Sequence, residues 1–493
     1  MWKAVLTLIL LSLGMPMATP PPTPTGERIR VLLSYQFGNL GFSDLYFFPA
    51  LELQSLHVDF VVRSGSDLGH LSYSFAELPR RTVRFTVKDG KLVVQNATRS
   101  FDLGAVAVLE PLLSEDDEKI RYKLLSTKRG AINPEYPGKL VLSIQEGKIA
   151  VVNDVSMESY LARVIPSEMP DTFHPEALKA QAVAARTYAL ARILAPPDQN
   201  RWKAYGADVD DSVNEQVYNN TPTVASTDAA VRATEGLVLL LGGVPITTNY
   251  FSTSPGFSAN IEEVWPEKAP VPYLISRPQS DPVAAAPQNE AEWLAFFKNW
   301  NSTGFFDKES SLFRWKVTMS REELEAILSK SLPERLKAFP EYTQTLEGLA
   351  PDTPNFSIGT LRELRVTKRA AGGYVVGLEV VGSNGRWQIR RESQVRFLLR
   401  PSKAYSGKDA DIVLERINGR KTANFSSLPS AAFSWEEERD TAGNILRLTI
   451  WGGGFGHGVG MSQFGADGLG KLGRSFEQIL AHFYPGTELK KLR

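Results

Sequence analysis

Apolar and polar positions alternate through much of the first third of the chain. IRVLLSY (29–35), RRTVRFTVKDGKLVVQNATRSFDLG (80–104) and GKLVLSIQEGKIAVVND (138–154) carry an apolar side chain at nearly every second residue, the period of a half-buried strand. Lys88-Asp89-Gly90 and Glu146-Gly147-Lys148 interrupt the last two and predict β-hairpins. Residues 28–127 therefore read as a β-rich N-terminal domain. The period returns in EGLVLLLGGVPITTNYFSTS (235–254), in ILRLTIW (445–451), and in LRELRVTKRAAGGYVVGLEVVGSNGRWQIRR (361–391). The last predicts a three-stranded meander turning at Gly372-Gly373 and Asn384-Gly385.

The helical period is strongest in HPEALKAQAVAARTYALARIL (174–194), where Pro175 suits a first turn and Pro196-Pro197 stops the helix. Its many alanines keep it thin, as a helix buried at a domain centre must be. Shorter helical patterns lie at 290–300, at 320–332 behind a Ser320/Glu323 capping box, and at 475–483 behind a Ser475/Gln478 box, with Pro485-Gly486 ending the last. QSDPVAAAPQNE (279–290) and LEGLAPDTPNF (346–356) read as loops. The fold class is α+β: a β-rich N-terminal region, then a mixed α/β part with one buried Ala-rich helix and several antiparallel hairpins. No repeat of solenoid period is present.

At 493 residues the chain is long enough for two to four domains. It has 55 basic and 55 acidic residues, so the global positive bias of a nucleic-acid binder is missing. It has no cysteine, which excludes disulfides, thiolate nucleophiles, Cys-ligated metal and lipidated cysteine. Lys3 followed by an apolar run from Ala4 to Leu13 and a Pro-rich stretch is the layout of an export signal, residues 1–18, with a linker at 19–27. No segment has the roughly 20 apolar residues of a membrane span. The expected location is outside the cytoplasm: periplasm, wall or medium.

Glycines at 452, 453, 454, 456, 458 and 460 surround His457. Their spacing fits neither G-x-G-x-x-G nor a P-loop, so nucleotide binding is rejected in favour of a backbone that passes close to something else. Without a second His at ligand spacing, His457 is not assigned to a metal. Lys179 and Arg186 are seven residues apart on one face of the Ala-rich helix and would face either water or an anionic partner. Glu168, in the stiff, apolar setting IPSEMP (165–170), is on these residues alone either a modest helix-start glutamate or a carboxyl whose pKa its neighbours raise.

Taken in order, VIPSEMPDTFHPEALKAQAVAARTYAL, EQVYNN, ATEGLVLLLGGVPITTNYFSTS, VWPEKAPVPYL and GGGFGHGVGMSQFGADGLGKLGRSFEQILAHFYPGT resemble the SpoIID/LytB family over roughly residues 136 to 488. The resemblance implies a SpoIID-like catalytic domain over 128–490, enlarged by an insertion at about 281–360. It further implies a peptidoglycan lytic transglycosylase with Glu168 as general acid and then base, leaving 1,6-anhydro-N-acetylmuramic acid ends. Lys179, Arg186, Gln216, Tyr218, Tyr250, Ser252, Ser254, His457 and Gln463 fall in family motifs and are expected to contact the glycan. The implied partners are peptidoglycan glycan strands and a cell-wall amidase. The alternative it carries is a non-catalytic, glycan-binding enhancer of such an amidase.

The chain departs from the pattern in two places. The segment that binds zinc in some relatives through His and Cys reads DVDDSVNEQVYNN (208–220), so no metal or cofactor is expected. The turn STSPGFS (252–258) has Pro255 and Ser258 where relatives have S-x-GG-x-T.

Overall fold

The alternating segments fold as antiparallel ladders. A computed structural model describes residues 28–36, 42–112, 116–220, 222–441 and 443–492; the expected signal (1–18) and linker (19–27) lie outside the described residues. Seven strands form one sheet, in the order Val209–Asp210, Arg28–Leu32, Lys148–Ser156, Lys139–Gln145, Val106–Pro111, Phe60–Gly65, Leu71–Glu77. Six shorter strands between Leu51 and Pro137 form a second. Side chains at alternate positions, among them Ile29, Val31, Val83, Phe85, Leu92, Val94, Ile149 and Val151, are fully buried in a shared core, which fixes the register because a one-residue slip would expose them. Both predicted hairpin turns form, with Asp89 and Gly90 at φ 50° and 73° and Glu146 and Gly147 at the same values, as the right-handed strand twist requires.

The first sheet does not stop at residue 128. It takes in strands as far as Ser156 and recruits Val209–Asp210 in parallel to Val31–Leu32, so the β-rich region and the helical centre share one core. The helix Met157–Glu168 leaves the end of strand Lys148–Ser156 directly; the helical period did not reveal it. It ends because Met169 precedes Pro170, which disfavours helical backbone for the residue before it, and Met169 is extended at φ −136°, ψ 137°. The predicted Ala-rich helix runs Pro175–Leu194, capped by the His174 ring accepting the Glu176 amide at 3.3 Å. It packs against Met157–Glu168, Ala225–Ala233, Leu237–Leu241, Gln463–Lys471 and Phe476–Phe483. Its buried Ala177, Ala180, Ala182, Ala184, Ala185 and Ala189 let these neighbours approach the backbone.

A second, separate core is built from residues 312–450. A five-stranded sheet centred on Trp315–Ser320 and a four-stranded sheet containing the predicted meander enclose the helix Arg321–Ala338. The Ser320/Glu323 capping box is present, and Leu324, Ile327, Leu328 and Leu332 face inward. Arg314 joins this unit to the rest. It is buried, donates to the Pro255 and Phe313 carbonyls at 2.8 and 2.9 Å, and lies against the rings of Phe296 and Phe313. Among the described residues no helix is long and apolar enough to cross a membrane.

Leu378 is fully buried at the centre of the second core. Leu378→Ala should cost about 2–5 kcal/mol, read as a lower urea midpoint with an unchanged slope, whereas truncating the exposed Val413 nearby should change the midpoint little.

Candidate active site

The N-terminal sheet holds a loop against the helices through ion pairs and hydrogen bonds. Asp208 accepts the Arg30 amide at 2.9 Å and the Lys203 ammonium at 2.5 Å. Asp211, fully buried, pairs with the equally buried Arg129 at 2.7 Å and accepts the Ser34 amide at 3.1 Å. Asp210 accepts hydrogen bonds from Tyr46 and Ser212. The loop closes on itself where the Tyr218 amide donates to the Asp211 carbonyl at 3.1 Å. Thus anchored, the loop presents the Val217 amide to Glu168 Oε1 at 2.6 Å.

Glu168 is the last residue of its helix, not the start of the Ala-rich one. A negative charge at a helix C-terminus meets the unfavourable end of the dipole. The residue is half-buried, opening on a cleft of about 620 Å³ lined by Pro166, Met169, Pro170, Pro222 and Val224 together with Ser167 and Asp171. Enclosure of its carboxyl raises the pKa to about 7, against which the hydrogen bonds from the Val217 amide and the Tyr250 hydroxyl act downward. Desolvation therefore outweighs the donors, and the carboxyl can carry a proton at neutral pH.

Gln216, next to Val217, is fully buried. Its amide oxygen accepts from Tyr160 at 3.1 Å, and its nitrogen donates to the Ala185 carbonyl at 3.3 Å and to the Tyr250 hydroxyl at 3.1 Å. Tyr250 lies on the short strand Tyr250–Phe251, parallel to Met461–Ser462. The next residue there, Gln463, donates to the Glu168 carbonyl at 3.0 Å. Glu168, Gln216, Tyr250 and Gln463 thus converge, although Gln216 aims Tyr250 from inside the protein.

The other predicted positions are more dispersed. Tyr218 is buried and donates to Asn153 at 2.9 Å. Arg186 is buried and grips Glu158 through two bonds of 2.8 and 2.7 Å while donating to the Val231 and Leu237 carbonyls. Lys179 pairs with Glu176 at 2.6 Å beside the Phe476 ring. Ser252 and Ser254 continue the Tyr250 strand; Ser254 is buried, and its hydroxyl accepts the Gly256 amide at 3.0 Å. His457 packs on Trp265 and Phe251 with ring centroids 4.8 and 5.6 Å away. Burial, with Arg396 adding to it, lowers its pKa to about 4, so the ring is neutral. The glycines around it are dictated by space: a Cβ on Gly458 (φ 84°) would sit 2.2 Å from the Tyr374 ring, and one on Gly460 (φ 79°) 2.0 Å from the Asn249 carbonyl.

A larger groove of about 1040 Å³ runs past Tyr188, Glu215 and Asn249, neighbours in sequence or space of Gln216 and Tyr250, to Trp265 and Tyr273. Glu215 accepts hydrogen bonds from Tyr188 at 2.7 Å, Arg192 at 2.9 Å and the Trp202 indole at 2.7 Å. Arg391, the last residue of the predicted meander, also lines this groove, bonded to Glu267 at 3.1 Å. Tyr160, Tyr188, Glu215 and the Val217 amide were missed by the sequence reading. Only the EQVYNN motif pointed towards the last two, and a main-chain donor leaves no side-chain signature. Among the described residues no cluster of His, Cys, Asp and Glu could hold a metal ion.

The family model described as "Stage II sporulation protein" matches residues 145–241, the span containing Glu168 and Gln216. A second, described as a domain of unknown function (DUF8618), matches residues 259–407. The chain is 28% identical over 353 residues to "Stage II sporulation protein D" of Bacillus subtilis, covering 69% of this chain and 76% of the relative. It is 27% identical over 352 residues to the protein of the same name in Bacillus amyloliquefaciens, covering 69% and 76%. Its identity to the "Amidase enhancer" of Bacillus subtilis is 27% over 331 residues, covering 67% of this chain and 40% of that protein.

A carboxyl whose folded pKa exceeds its unfolded value destabilises the fold progressively as pH rises from the usual carboxylate range through, for Glu168, about 7. Glu168→Gln removes that penalty. By calorimetry it should raise the thermal midpoint at pH 8 and leave it near that of the wild type at pH 4.

Proposed function

We propose, for a chain that resembles the SpoIID/LytB family, that it is a peptidoglycan lytic transglycosylase acting through Glu168. The observation that carries this reading is a carboxyl at the mouth of a cleft, oriented by a main-chain amide and protonated near neutrality. A general acid needs this combination, because its pKa must lie near the working pH. The protonated Glu168 gives its proton to the glycosidic oxygen as the bond from C1 of N-acetylmuramic acid to that oxygen breaks. The resulting carboxylate takes the proton of the same sugar's C6 hydroxyl, whose oxygen bonds to C1 and closes the 1,6-anhydro ring. Glu168 ends ionised-then-reprotonated, ready for another cycle, and no second carboxylate or water is consumed.

The groove suits a mostly neutral sugar chain. Tyr188, Trp265 and Tyr273 offer ring surfaces and Asn249 a polar group; Arg192 with Glu215 and Arg391 with Glu267 are paired, and Asp198, Arg201 and Lys268 add charges of both signs. His457, neutral and packed on Trp265, serves as a hydrogen-bonding and shape element. Lys179, Arg186 and Tyr218 act by holding helices and loop together. The substrate places the protein in the cell envelope, consistent with the export signal read from the sequence.

One observation favours a second reading: a relative named "Amidase enhancer" aligns over much of the chain. In that case the groove binds glycan and the protein stimulates a wall amidase without cutting.

Digestion of purified peptidoglycan, with products analysed by mass spectrometry, separates the two. The enzyme should release anhydro-ended fragments, Glu168→Gln should lower the rate at least about 100-fold while still binding glycan, and the rate should decline as pH rises through about 7, where Glu168 loses its proton. Absence of anhydro ends from both denuded and peptide-bearing strands, with amidase stimulation intact in Glu168→Gln, would establish the enhancer instead.

A further inference from the structure

Asp307 belongs to none of the motifs that resemble the family, yet it lies at a junction behind the site. It is completely buried and follows Phe305-Phe306, in the span matched by the domain of unknown function. Among the described residues no cation pairs with it. Its Oδ1 accepts the Ser254 amide at 2.8 Å and the Ser462 hydroxyl. That hydroxyl accepts the Gly465 amide at 3.2 Å, capping the helix Gln463–Lys471, and lies 3.1 Å from the Ser254 amide. Three residues on, Ser310 joins its hydroxyl to that of Thr253 at 2.8 Å. The two segments stitched here are those that reach Glu168: Tyr250 is four residues before Ser254, and Gln463 immediately follows Ser462.

We propose that Asp307 is a positioning residue for Glu168, fastening the Tyr250 strand to the start of the Gln463 helix so that both meet the carboxyl in one fixed arrangement. A carboxyl without a countercharge is costly in such a place. Its oxygen nevertheless accepts an amide and a hydroxyl at once, which no apolar residue of similar size could do. Burial pushes Asp307 up to about 7, in keeping with a group retained for its acceptors. Arg314, from the same unit, adds a parallel tie to Pro255. The 259–407 region, on this view, is an external brace for the catalytic geometry, a role that rests on the function proposed above for Glu168.

The test uses the full chain. Asp307→Ala removes both acceptor bonds, Ser462→Ala removes the hydroxyl from the other side should the first variant fold poorly, and Asp307→Asn keeps an acceptor oxygen. Glu392→Gln, at a buried carboxyl elsewhere in the unit of the second core, controls for lost stability. Two quantities are read: anhydro-end release as kcat and KM, and the titration of the Glu168 carboxyl by carbon NMR of labelled glutamate, assigned with Glu168→Gln. Asp307→Ala and Ser462→Ala should lower kcat about 10- to 100-fold with KM within about twofold. They should also move the Glu168 titration upward, because a loosened Tyr250 hydroxyl no longer favours the carboxylate. Asp307→Asn should restore most of both, and Glu392→Gln should lower the thermal midpoint alone. Wild-type kcat and Glu168 titration in Asp307→Ala or Ser462→Ala would overturn the proposal. If the wild type releases no anhydro ends, the proposed activity fails, and the Glu168 titration by itself still decides the role of Asp307.

Discussion

The hydrogen bond from the Val217 amide to Glu168 is the contact on which the arrangement turns. It joins the end of one helix to a loop about fifty residues later, and each side must be fixed independently for it to form at 2.6 Å. Pro170 fixes the helix end by forcing Met169 into extended backbone. The loop is fixed by carboxylates that spend their acceptors on Arg30, Lys203, Arg129 and Ser34. The N-terminal sheet is thereby part of the site although no side chain from it touches the cleft.

A carboxyl with one strong donor would ordinarily titrate low. Glu168 does not, because two influences oppose its charge: enclosure of the carboxyl and the C-terminal end of its helix. The donor orients the group and enclosure protonates it, so the two properties an acid needs come from different parts of the chain. Tyr250 adjusts the balance and is itself held by Gln216. Gln216 therefore acts one step back from the carboxyl, and its fully buried amide could not reach a sugar without vacating that post.

How much of this could be read in the sequence depended on whether the signal was local. Hairpins at Asp89-Gly90 and Glu146-Gly147, the meander at 361–390 and both capping boxes were legible because turn and cap chemistry is written within four residues. Glu168 stood out only through its motif. The helix ending at Glu168 was missed, since Pro166 and Ser167 disguise its last turn. Arg186 looked like a cation for an anionic partner because its true partner, Glu158, lies on that unrecognised helix. The Val217 amide and the buried Asp307 were invisible for a further reason: a main-chain donor has no residue type, and a lone aspartate in a loop resembles any other.

The alanines of the central helix carry one more implication. Main-chain atoms have no rotamers, and the Met157–Glu168 and Gln463–Lys471 helices pack against a helix whose buried side chains are largely alanine. The helix works as a datum surface from which the other parts are measured. Distances referred to it do not spread as side chains exchange conformers, whereas the groove rim, carrying long residues such as Lys268 and Arg201, has no such reference. The molecule thereby pairs a setting for the Glu168 carboxyl that is gauged from main chain with a groove rim made of long side chains.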